Sequence, residues 1–123
     1  MNAPARLRLG RDRRLHHRGD FARLKAEGGR RVQGCLILNW LAHPGAPVSR
    51  AGFVVSRKVG NSVARSRARR LLREAFRRHQ YELTATVDAV LVARPSIAGK
   101  PFAAVERDFL GAARQGGLLR PVA

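Results

Sequence analysis

Arg57, Lys58, Arg65, Arg67, Arg69, Arg70, Arg73, Arg77 and Arg78 share one stretch, RKVGNSVARSRARRLLREAFRRH, with a single acid, Glu74. Guanidinium groups at this density suit one chemistry, a flat two-pronged grip on phosphate with stacking on bases. Gly60 and Asn61 suit a turn, and Ser62 is expected to cap the helix that follows. From Val63 to His79 there is no Gly or Pro, and Ala, Leu and Arg, all good helix formers, dominate. At about 100° per residue, Ala64, Ala68, Leu71, Leu72 and Ala75 fall in one arc with Phe76 at its edge. Ser66, Arg67, Arg69, Arg70, Arg73 and Arg77 fall in the opposite arc, and Arg65 and Arg78 flank the apolar stripe. Like charges at i,i+4, as in Arg69–Arg73–Arg77, destabilise a helix by a few tenths of a kcal/mol per pair. A face that repels itself in this way calls for an anionic partner.

The residue types needed for hydrolysis are not assembled in the same way. Asp12, Asp20, Glu27, Glu74, Glu82, Asp88, Glu106 and Asp108 are scattered, and no pair has the spacing for two-metal work. His43 lies in a Pro/Gly loop without an evident orienting partner, and the adjacent His16 and His17 point apart on a helix. There is no phosphate-binding glycine loop, nucleophile elbow or histidine–glutamate metal motif. Cys35 excludes an internal disulfide and a thiolate cluster, and reads as a small apolar group in or beside a strand. No catalytic residue and no metal ligand is expected on the chain, whose contribution to a reaction is binding and placement.

Several elements must hold the basic helix in place. Asp20 is expected to cap a short helix, Phe21 to Glu27, closed by Gly28–Gly29. Phe21 either packs in the core or offers a stacking platform for a base. Arg30 to Gln33 and Leu36 to Leu41 read as strands. The second carries Leu36, Leu38 and Trp40 on one side and Ile37, Asn39 and Leu41 on the other. His43 to Arg50, with two prolines and a glycine, reads as a hairpin loop, and Ala51 to Ser56 as a strand running into the basic helix. Gln80 to Thr86 reads as a loop. Val87 to Ala93 is apolar enough for a strand covered on both faces. Pro101 fits the first turn of a last helix with Phe102, Val105, Phe109 and Ala112 on one face, ended by Gly116–Gly117. The expected fold is α+β, a two-layer sandwich in the order α-β-β-β-α-β-α with one sheet of about four strands. Residues 1–14 read as a flexible basic arm, 15–115 as one domain and 116–123 as a flexible tail.

The 123-residue chain carries a formal net charge of +17, from 25 Lys plus Arg against 8 Asp plus Glu. Such an excess points to a polyanion. Arg far outnumbers Lys, since Lys25, Lys58 and Lys100 are the only lysines, and this favours nucleic acid over lipid. No apolar run approaches 18 residues, so no membrane span is expected, and the basic N-terminus lacks the apolar stretch of a secretory signal. The cytoplasm is the expected compartment.

The run from Ser56 to Glu74, SRKVGNSVARSRARRLLRE, resembles the protein subunit of bacterial ribonuclease P, whose signature runs roughly S-K-K-x-G-x-A-V-x-R-N-R-x-K-R-x-x-R-E. The spacing of Arg65, Arg67, Arg69, Arg70, Arg73 and Glu74 is kept, and Leu15, Asp20–Phe21 and Ala93–Arg94–Pro95 sit where that family has them. The resemblance implies a left-handed βαβ crossover around the signature helix, against the general right-handed rule. It implies a ribonucleoprotein endonuclease, a hydrolase in which a catalytic RNA with bound Mg²⁺ removes the 5′ leader of precursor tRNA. The protein itself then needs no directly bound cofactor, and its partners are the catalytic RNA and precursor tRNA, with no protein partner evident. By position, Arg57, Lys58, Asn61, Arg65, Ser66, Arg67, Arg69, Arg70 and Arg73 are implied to meet the catalytic RNA, and Phe21, Asn39, Ser56 and Arg57 the leader. Ser66 replaces the family's Asn and loses an amide, Arg69 replaces a Lys and keeps its charge, and Ser62 replaces an Ala. Lys25 stands where a second aromatic often follows Phe21. The alternative is a ribosomal or other structural RNA-binding protein with no processing role, which the charge fits and the signature does not. A zipper-type DNA-binding helix lacks the heptad of leucines it needs, and a stand-alone nuclease lacks a ligand set.

Overall fold

The computed structural model describes residues 18–119, with side chains described from Ala22 onward. Its elements are α1 (Arg18–Glu27), β1 (Gly29–Gln33), β2 (Leu36–Ala42), β3 (Arg50–Val54), α2 (Ser62–His79), β4 (Val87–Ala93) and α3 (Phe102–Gln115). Single 3₁₀ turns lie at Arg57–Val59, Gln80–Glu82 and Pro95–Ile97. Every residue of β4 is buried except Val92, which is half-buried. A strand covered on both faces belongs inside a sheet, and the strand order is β1-β2-β4-β3. β4 runs antiparallel to β2 and parallel to β3, with Val90 opposite both Asn39 and Gly52. The loop at His43 is therefore not a hairpin. It carries the chain from β2 past the position of β4 to the far edge, and the parallel pair β3 and β4 is joined through α2. Loop composition signals a reversal but cannot name the strand that becomes the neighbour.

The alternation along each strand sets the two faces of the sheet. Leu36 and Leu38 of β2, Ala51 of β3, and Val87, Ala89, Leu91 and Ala93 of β4 share one core with Leu72 and Phe76 of α2 and Val105 and Phe109 of α3. Phe76 has no exposed surface and meets the rings of Phe53 and Phe109 edge-on at centroid distances of 6.4 and 6.3 Å. Burying one such side chain contributes about 1.5–3 kcal/mol, so this contact sets the depth of α2 over the sheet. On the opposite face Leu24 of α1 packs with Val90, Leu41 and Val92. The sandwich thus has α2 and α3 on one side and the short α1 across part of the other.

Several boundaries differ from the sequence expectation; β1 and β3 each begin one residue earlier, β2 ends one residue later, and β3 ends at Val54, two residues short of Ser56. α1 begins at Arg18, with Asp20 inside it, although Gly19 costs a helix about 1 kcal/mol relative to Ala. Pro101 caps α3 from outside and Phe102 is its first residue. Leu118 and Leu119, placed by sequence in the loose tail, are both buried at 7% exposure. Gly117, at φ 77°, turns the chain back after α3, and the Thr84 amide donates to the Leu118 carbonyl at 2.8 Å. The arm at 1–14 and the last residues of the tail lie outside the described residues. Among the described residues no helix is long and apolar enough to cross a membrane.

Candidate nucleic-acid interface

The signature segment leaves β3 through the turn at Arg57–Val59, where the Ser56 hydroxyl accepts from the Lys58 amide at 3.3 Å. Gly60 follows at φ 149°, and a Cβ there would stand 3.0 Å from that of Ala64, so the position favours glycine. Asn61, not Ser62, is the helix cap: its Oδ1 accepts from the Ala64 amide at 2.9 Å, and Ser62 is the first helical residue. Both residue types cap well, and only the backbone conformation decides between neighbours.

α2 buries Ala68, Leu72, Ala75 and Phe76, the apolar arc expected from its periodicity except that Leu71 and Ala64 are only half-buried. The cationic residues divide into groups that the helical wheel does not separate. Arg65, Ser66 and Arg69 line one flank, where they form with Ser56, Arg57 and Ser62 an open recess of about 490 Å³ beside the end of β3. Arg70 is exposed, as is Lys58 in the preceding turn. Arg67 turns to the other flank and donates through Nη2 to the Lys100 carbonyl at 2.8 Å. Arg73 is half-buried, and its buried Nε has no partner among the described residues.

A second concavity lies on the other face of the sheet. A cleft of about 940 Å³ runs between α1 and the sheet, with Ile37, Asn39, Val54, Val90 and Val92 on its floor and Leu24, Lys25 and Arg30 around it. The register aligns the floor: Ile37, Val92 and Val54 stand side by side across β2, β4 and β3, and Val32 continues the row on β1. The two edge members, Val32 and Val54, are 43% and 39% exposed. Asn39 sits in the cleft, as its strand position implies. The side chain of Phe21 lies outside the described residues, although its backbone belongs to α1. Ser56 and Arg57 open into the recess rather than the cleft, but Val54 lines the cleft and Val55 the recess. The end of β3 thus separates the two concavities by one strand.

Glu74, Glu82, Asp88, Glu106 and Asp108 are each engaged within the protein, away from the recess. Glu74 binds Arg77 and Arg78, and its carboxyl is lowered to about 2, chiefly by the Arg77 hydrogen bond. Glu82 and Glu106 both meet His79. Asp108 accepts from the Cys35 amide at 3.0 Å, and Asp88 is held by Arg50 through two bonds of 2.9 and 2.7 Å. His43, which has no orienting partner by sequence, stands 3.5 Å from Asp88. That cluster escapes sequence reading because Asp88, Arg50 and His43 come from three separate parts of the chain. Cys35 is buried, and burial first, then Asp108, pushes its thiol up to about 12. Among the described residues, neither the cleft nor the recess is lined by a carboxylate, an imidazole or a thiol.

Residues 9–115 match the family model described as Ribonuclease P. The ribonuclease P protein component of Gluconacetobacter diazotrophicus is 37% identical over 109 residues, covering 88% of this chain and 94% of that one. That of Chloroflexus aurantiacus is 40% identical over 107 residues, covering 86% and 78%. Among solved structures, the Thermotoga maritima ribonuclease P protein superposes with a TM-score of 0.72 at 28% identity, covering 82% of this chain and 96% of that one. The Staphylococcus aureus protein, at 20% identity, shares the fold with a TM-score of 0.79, covering 88% and 98%. This likeness runs through the signature helix, the sheet and both flanking helices, and it sets aside a structural RNA-binding protein without a processing role. The chain belongs to the ribonuclease P protein component family, the protein subunit of ribonuclease P in tRNA processing.

Proposed function

We propose that the two concavities divide the RNA between them. The recess and exposed crown of α2, with Arg57, Lys58, Arg65, Ser66, Arg69 and Arg70, bind the ribonuclease P RNA. The cleft beneath α1, with Asn39 on its floor and Phe21 on α1, takes the 5′ leader of precursor tRNA. Asn61 serves this surface by capping α2, Arg67 by fastening it, and Arg73 from its half-buried flank. Ser56 and Arg57, where the two concavities meet, adjoin both RNAs. The observation that carries this reading is the contrast in lining. Guanidinium groups suit the phosphates of a folded RNA, whereas a floor of valine and isoleucine with one amide suits splayed-out bases of a single strand. Hydrolysis in this reading falls to the RNA subunit with its Mg²⁺, and the guanidinium-rich recess and apolar cleft supply binding. The enzyme is then a hydrolase, acting in the cytoplasm, whose protein supplies binding and placement.

The test is the affinity of the reconstituted holoenzyme for precursor tRNA with a leader and for mature tRNA. Asn39→Ala and Phe21→Ala are expected to weaken binding of the leader-bearing substrate and to leave mature tRNA binding unchanged. Equal losses on both would overturn the assignment of the cleft.

A further inference from the structure

One face of the sheet continues beyond the cleft into a cluster of charge. Asp88 precedes Val90 by two residues on the same face of β4, so it lies about 7 Å past the cleft floor, at the end away from Ser56. Its carboxylate is 1% exposed and is fully engaged by Arg50, Nε to Oδ1 at 2.9 Å and Nη2 to Oδ2 at 2.7 Å. Two further side chains, an arginine and a histidine, nonetheless converge on it. Arg23 of α1 brings Nη2 to 3.5 Å, and His43 brings Nδ1 to 3.5 Å. At that length neither contact is a strong hydrogen bond. The two side chains are 46% and 42% exposed.

The position of His43 is built rather than incidental. Its amide donates to the Thr86 carbonyl at 2.9 Å, and its carbonyl accepts from the Thr86 hydroxyl at 2.9 Å. Two guanidiniums around one carboxylate leave local positive charge, beside the ring N–H groups of His43, in a chain that carries +17. Crowding of that kind is unfavourable without an anion to share it.

We propose that Arg23 and His43, backed by Arg50 and Asp88, form a phosphate-binding site for the part of the 5′ leader that extends past the cleft. The inference rests on the reading of the cleft as the leader site. The signature surface lies at the Ser56 end, so the Asp88 end receives nucleotides farther from the cleavage point. The contact is with the phosphodiester backbone and carries no base preference.

The experiment measures binding of precursor tRNAs with a graded series of leader lengths to the reconstituted holoenzyme, with the wild-type protein and with Arg23→Gln/His43→Gln. The short-leader substrates are expected to bind the two alike. The longest leader is expected to bind the variant about tenfold more weakly, on the scale of one half-exposed ionic contact and one hydrogen bond. The salt dependence is expected to become shallower by about 0.7 for each phosphate that the variant no longer holds. Arg23→Lys, which keeps the charge, is expected to retain the longest leader better than Arg23→Gln. Equal weakening at every length would show that the cluster only anchors α1, and would overturn the proposal. So would a variant that keeps the full wild-type dependence on leader length, which leaves the cleft reading intact. A wild-type holoenzyme indifferent to leader length would overturn both.

Discussion

Arg67 Nη2 donates to the main-chain carbonyl of Lys100 at 2.8 Å, fastening the first half of α2 to the chain that enters α3. Arg67 is thus structural as well as cationic, whereas Arg70 is exposed on the same helix. Arg67→Ala is expected to lower unfolding stability by about 1 kcal/mol through the missing hydrogen bond. Arg70→Ala should stay within about 0.5 kcal/mol of the parent. Both should weaken ribonuclease P RNA binding more than Arg114→Ala, which lies outside the signature. Chemical denaturation and RNA titration of the same three variants separate the effects, and indistinguishable RNA losses would indicate non-specific charge.

The Asn61 cap offers a test of how the signature helix is held. Its side chain satisfies the Ala64 amide at 2.9 Å, and Asn61→Ala should cost about 1 kcal/mol. Asn61→Asp keeps the acceptor and adds a negative charge at the positive end of the helix dipole, so it should match or exceed the parent in urea. A stable Asn61→Ala variant would place the cap elsewhere.

Acid should destabilise the fold through two carboxylates. The Arg77 hydrogen bond leads in holding Glu74 down to about 2, against burial and with help from Arg78. Burial pushes Asp88 up, but the hydrogen bonds and charge of Arg50, with His43, leave it below the usual carboxylate range. Both folded values lie under the unfolded ones, so the stabilisation is complete above about pH 5 and is lost as pH falls toward 2. The urea midpoint should drop across that window, and Glu74→Gln should show a smaller drop. A profile unchanged by Glu74→Gln would contradict the assignment.

Cys35 reports on core opening. Its thiol is 1% exposed and is pushed up to about 12 by burial, with Asp108 adding. Because the thiolate is the reactive form, alkylation at pH 8 should be slow in the native protein and fast in denaturant. Rapid native labelling would mean that the turn between β1 and β2 opens readily.

Much of this molecule could be read from its periodicities. The amphipathic run from Val63 to Phe76 and the doubly apolar strand Val87–Ala93 each have one physical solution, and both occur. The pairing of β4 between β2 and β3 was hidden because a loop's residues do not identify a strand's neighbour. The wheel groups Arg67 with Arg70, and only a carbonyl 33 residues away turns one of them aside. Asn61 and Ser62 are both capping residues, so choosing between them needed backbone angles. Arg23, His43, Arg50 and Asp88 show no pattern in the chain, since topology alone brings them together.

The most direct test that this chain works as a ribonuclease P subunit is cleavage of a 5′-extended precursor tRNA by a bacterial ribonuclease P RNA at low Mg²⁺, with and without the protein. Strong stimulation at a single position that yields the mature 5′ end is the expected result. Tight RNA binding without stimulation would contradict it.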